Sequence, residues 1–137
     1  MLIDQAMPAW QWREYYQHFI PADPETVWNA CLSAKTGDLR LTRPLMILRG
    51  LGGGMAKDGV FLDAIPPRRI AVSTGREILP GLIFPTRGKL RDIVQPDSIA
   101  ALTAAQGPSL VRQAVDMRLQ AIPGGTLLVN RDPRHRQ

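Results

Sequence analysis

Residues 20–51, IPADPETVWNACLSAKTGDLRLTRPLMILRGL, decide the fold, because a strand-like run enters a well-marked helix and a second, shorter helix follows. Asp23 is placed to accept a hydrogen bond as N-cap, Pro24 suits the first helical position, and Glu25 complements the positive end of the helix dipole. Val27, Trp28, Cys31 and Leu32 then recur on one face of a helix predicted over 23–33, which Gly37 closes. A shorter helix is predicted over 41–49, with Pro44 early and Leu45, Met46 and Leu48 facing inward, until Gly50, Gly52, Gly53 and Gly54 break it.

Upstream, WQWREYYQHFI over 10–20 alternates Trp10, Trp12, Glu14, Tyr16, His18 and Ile20 on one register, the pattern of a strand that Pro21 ends. Downstream the pattern is a meander of antiparallel strands. Residues 60–65 read as a strand, Pro66 and Pro67 as a turn, and 68–77 as extended again. Pro80, Gly81 and Pro85 make the next segment irregular, with a short strand over Leu82, Ile83 and Phe84. A helix is predicted over 97–106, with Asp97 as N-cap and Gly107 and Pro108 as its stop. One long strand follows over 111–122. On it Val111, Val115, Met117, Leu119 and Ala121 face one way, and Arg112, Asp116, Arg118 and Gln120 the other. Pro123, Gly124 and Gly125 turn the chain into a last strand over 126–130.

At 137 residues with 45% hydrophobic and 21% charged residues, the chain suits one globular domain over 1–130, followed by a basic tail over 131–137. No segment is long and apolar enough to span a bilayer, and no basic n-region with an apolar h-region opens the chain, so a cytoplasmic location is expected. The net charge of +5 raises nucleic acid as a partner, but the 14 arginines are scattered from Arg13 to Arg136 rather than gathered among stacking aromatics. Nucleic acid is therefore an unfavoured partner.

Catalytic and metal motifs are missing from the pattern. Met55 stands where a third glycine would complete a phosphate cradle in the 50–54 glycine group, and Lys57 lacks the following Ser or Thr of a phosphate loop. His18, His135 and the lone Cys31 have no metal-ligand spacing, and no serine lies in a nucleophile elbow. No metal, cofactor or catalytic residue is expected. Glu14, Asp63 and Glu77 are the carboxylates of interest, because each falls in a predicted strand; one of them buried among apolar groups would have a raised pKa.

The order strand, PADPETVW helix, GDLRLTRPLMILRGL helix, then the paired strands of DGVFLDAIPPRRIAVST and the hairpin of GPSLVRQAVDMRLQAIPGGTLLV, resembles the START-like, or SRPBCC, superfamily of polyketide-cyclase and lipid-transfer-like proteins. The resemblance covers about residues 10–129 and implies an α+β helix-grip fold: a curved antiparallel sheet around a cavity, with two short helices after the first strand. In that family a long C-terminal helix usually closes the cavity. Here 131–137 holds no apolar residue but Pro133, so the closing helix is missing and the open sheet face calls for a homodimer or another cover.

The resemblance implies a small hydrophobic ligand held by Trp12, Tyr16, Trp28, Leu45, Leu48, Phe61, Phe84, Met117 and Leu119, with Tyr16 or Arg49 as a polar anchor. The same residues would equally fill an ordinary core, since core and pocket share one composition. Binding or carriage of the ligand is the first expectation. A cyclase- or dehydratase-like enzyme using the same pocket is the second, and a basic module contacting nucleic acid or protein the third.

Overall fold

The computed structural model describes residues 1–38, 58–64, 67–88 and 92–136, the last three without their side chains. The second predicted helix, the glycine group and the proposed ligand residues Leu45, Leu48 and Arg49 lie outside the described residues. The fold is α+β: a six-stranded antiparallel sheet that does not close on itself, with short helices. The elements are α1 (Leu2–Ala6), β1 (Trp12–Ile20), α2 (Pro24–Ser33), a 3₁₀ turn (Thr36–Asp38), α3 (Phe61–Ala64), β2 (Arg68–Ser73), β3 (Glu77–Pro85), α4 (Ile99–Ala104), β4 (Leu110–Ala114), β5 (Asp116–Ile122) and β6 (Gly125–Arg136). Strands run in the order β1-β6-β4-β3-β2, and β5 continues β4 between β6 and β3.

The strand β1 and the helix α2 follow their local signals. Asp23 caps α2 by accepting from the Thr26 N–H (2.9 Å) and hydroxyl (2.6 Å). These bonds, the hydroxyl's first, hold its carboxyl below the usual range. The helix ends at Ser33, as the spacing predicts, the Ala34 N–H returning to the Ala30 carbonyl at 2.9 Å. The β5–β6 hairpin also forms as its glycines dictate, with Gly124 at φ +84 and Ile122 opposite Gly125.

Five expectations are corrected. The predicted strand over 60–65 is instead the helical turn α3, with only Val60 bridging Lys35, because Phe61 and Leu62 are drawn under α2. The segment around Pro80 and Gly81 is no irregular stretch but part of β3, a strand buried from Glu77 to Ile83. Pro80 offers no N–H, and both neighbours break register beside it: β2 shifts between Arg69 and Ala71, and the chain between β4 and β5 breaks at Val115, whose N–H reaches the Pro80 carbonyl at 2.9 Å. That break divides the single strand expected over 111–122. The helix predicted from Asp97 starts one residue later, with the Ser98 hydroxyl accepting from the Ala101 N–H at 3.1 Å. Finally, 131–136 is no tail. It continues β6, pairing with β1 from Trp12↔Arg134 onward and with β4 from Val111↔Arg136 onward. Backbone pairing asks nothing of side-chain polarity, which is how a charged run becomes a strand.

The central strands are packed on both faces, whereas β1 stays largely exposed. On one face, α1 and α4 cover Leu79, Ile83 and Ala114 with Ile3, Ala6, Met7 and Leu102. On the other, α2 and α3 bring Trp28 and Leu62 onto Ile78, with Cys31, Leu32, Phe61, Met117 and Leu119 around them. Strand alternation explains the division: Glu77, Leu79 and Ile83 point to the first face, Ile78 and Leu82 to the second. No helix among the described residues is long and apolar enough to cross a membrane.

Candidate functional site

The cap at Asp23 fixes where α2 begins, and four to five residues later the helix presents Val27 and Trp28 to the sheet. Trp28 is 7% exposed, with its remaining edge turned to a groove between α2 and the β2–β3 turn. The groove holds about 480 Å³ and is lined by Pro24, Glu25, Trp28, Asn29, Thr74 and Gly75. Gly75 sits at φ +72, a left-handed conformation that the tight β2–β3 turn takes up at no steric cost. The lining joins an indole to a carboxylate, a side-chain amide and a hydroxyl, the mixture of apolar wall and few polar groups that small-molecule sites use.

The proposed ligand residues fall in two groups. Trp28, Phe61, Met117 and Leu119 meet in the packed cluster beneath α2. Trp12, Tyr16 and Phe84 share their sheet face but not their cluster. Register places Met117, Asn130 and Tyr16 in one cross-strand row, so Tyr16 stands two strands, roughly 10 Å, from Met117. Phe84 is half-buried at the far end of β3, opposite Val111. Of the polar groups of the groove, Glu25 was marked by the sequence only for the helix dipole, and Asn29 and Thr74 were not marked at all. They lie on the outer side of a helix and in a turn, where polar residues are ordinary. Asn130 was missed too: its Oδ1 is out of solvent and has no hydrogen-bond partner, although a lone asparagine near a chain end carries no signal of this.

Of the carboxylates of interest, Asp63 pairs with Arg69 (2.6 Å) and Glu14 accepts from the Tyr16 hydroxyl (3.0 Å), both near the surface. Glu77 alone is buried, and it has a structural partner. Its two oxygens accept from the backbone N–H groups of Leu2 (3.1 Å) and Ile3 (3.3 Å), capping α1 from across the molecule. The acid with the raised pKa is Asp116, which the alternation had put on an outer face. It is fully buried, because α1 covers the face that β5 presents with Asp116 and Arg118.

Burial pushes the Asp116 carboxyl up to about 7, with a hydrogen bond to Glu77 and that group's negative charge adding to it, against weaker opposition from Arg131 and Arg118. The Arg131 Nε lies 3.8 Å from Oδ2, too far for a hydrogen bond, and as a carboxylate Asp116 has no partner on either oxygen. Protonation would turn one Asp116 oxygen into a donor toward Glu77. Asp116 faces the side of the sheet opposite Trp28, so this acid does not serve the groove. Burial likewise pushes the Cys31 thiol up, in keeping with a packing role. No three His, Cys, Asp or Glu side chains among the described residues come together as a metal site.

No protein-family model, curated protein or solved structure matches the chain.

Proposed function

We propose that the protein binds a small apolar molecule carrying a hydrogen-bonding group, as a START-like domain would, and that the molecule sits against Trp28 in the groove between α2 and the β2–β3 turn. The groove of about 480 Å³ carries this reading, since its size falls within the range of small-ligand sites and an indole forms its apolar wall. Glu25, Asn29 and Thr74 would orient the polar end of the ligand, and contact with the cluster of Phe61, Met117 and Leu119 behind Trp28 would hold the indole in place.

An environment-sensitive apolar dye, displaced by hydrophobic competitors, tests the proposal. Thr74→Trp fills the groove from an exposed turn and should abolish dye binding while leaving the melting temperature unchanged. Undiminished binding in that variant would place the ligand elsewhere, and no binding in the parent protein would end the proposal.

A further inference from the structure

The two edges of the sheet are built differently. The β2 edge is short, begins with Arg68 and Arg69, carries a register shift, and has its Arg68 N–H taken by Gln95 Oε1 at 2.9 Å. These are the usual protections of a strand edge against pairing with another chain. The β1 edge carries charge as well, at Arg13 and Glu14, but it is longer and has no register shift. It runs nine residues without proline, lysine or bulge, and its register against β6 is unbroken from Trp12 to Ile20. Among the described residues its only strand partner is β6, and Tyr15, Tyr16 and Phe19 are 51%, 58% and 51% exposed.

Two-fold pairing of such a strand with itself keeps each face on its own side, so a residue opposes another of the same parity. Only pairing centred on Tyr16, the midpoint of β1, uses all nine residues. In that register Tyr16 meets the second copy's Tyr16, and Glu14 meets His18. On the other face Tyr15 meets Gln17, and Arg13 meets Phe19. The strand's acid and its imidazole thus oppose each other twice. Centring on Arg13 or Glu14 instead would set like charges together. Within the chain Glu14 accepts from the Tyr16 hydroxyl and stands opposite Asp132, so a histidine on its other side adds an imidazole donor beside two acids.

We propose that β1 is a homodimer edge, where a second copy of this chain pairs antiparallel about Tyr16 to make one continuous sheet across both molecules. This surface lies apart from the Trp28 groove and does not depend on ligand binding there.

Sedimentation velocity over a wide concentration range should show a monomer–dimer equilibrium. His18→Glu should weaken the dimer about tenfold, since it sets two like-charge pairs directly opposite each other. Adding Glu14→Lys to that variant should restore the dimer, because each opposed pair again carries unlike charges. In a Cys31→Ser background, mild oxidation should cross-link Tyr16→Cys but not Trp12→Cys, whose copies would lie eight residues out of register. A monomer at every concentration, equal cross-linking at both positions, or a dimer indifferent to His18→Glu would overturn the proposal. So would a monomer that takes up unrelated extended peptides along β1 but not a second copy.

Discussion

Single residues hold the junctions of this fold through contacts that their neighbours in sequence do not announce. Gly125 opens β6, and a Cβ there would run into the Ile20 carbonyl oxygen and lie 2.9 Å from the Phe19 ring. Since the backbone atom cannot swing aside, Gly125→Ala should cost about 1–3 kcal/mol by overpacking, read as a lower denaturation midpoint with an unchanged slope. Gly124→Ala, at a left-handed position with open space around it, should cost about 1 kcal/mol through backbone strain alone. Asp23 acts locally instead. Asp23→Ala removes the acceptor of two Thr26 hydrogen bonds and should lower the melting temperature modestly, less than a core change does.

At the scale of elements, α1 shows how far tertiary contact outweighs intrinsic preference. Five residues form no stable helix in water. This one persists because Ile3, Ala6 and Met7 are buried against Leu79, Ile83 and Leu102, and because Glu77 accepts from its first N–H groups. Ile3→Ala should therefore destabilise the whole domain by about 2–5 kcal/mol rather than merely fray the terminus. Thermal unfolding that stays cooperative at a lower midpoint would bear this out, whereas loss of α1 alone with the midpoint unchanged would contradict it. The same dependence on neighbours decides β3, where Pro80 enters a buried strand because β2 and the β4–β5 junction both yield beside it.

Across the whole molecule, arginines find partners both at the surface and in the interior. Arg69 pairs with Asp63, Arg112 donates to the Thr103 carbonyl, Arg13 lies over Trp10 at 4.8 Å, and Arg131 and Arg118 flank the buried acids. These arginines sit on different elements and both faces of the sheet, so among the described residues they make no single basic stripe of the kind a nucleic-acid module needs. The acids beside Arg131 make stability depend on pH with an unusual sign. Asp116 ionises near 3.8 when unfolded and near 7 when folded, so between these values the native state holds the extra proton. Its contribution is fully present below about 3.8 and is lost as pH rises through about 7. The loss from this group is at most about 4 kcal/mol, from the pKa difference at 1.36 kcal/mol per unit. Urea denaturation should show greater stability at pH 5 than at pH 8, and Asp116→Asn should flatten that slope.

The sequence alone determined the elements whose causes are local: β1 by alternation, α2 by its cap and apolar spacing, and the last hairpin by its glycines. It also marked Trp28, Phe61, Met117 and Leu119, which the fold gathers into one cluster because each falls on an apolar face. Only the tertiary structure decided the rest. Whether 60–64 coils or extends depends on α2 above it, and whether 131–136 is tail or strand depends on β1 and β4 beside it. Asp116 looked like an outward residue because alternation distinguishes two faces but cannot say that α1 will cover the charged one. The groove escaped notice for the same reason, since Glu25, Asn29 and Thr74 become neighbours only when α2 meets a turn more than forty residues away, and no periodicity encodes that meeting.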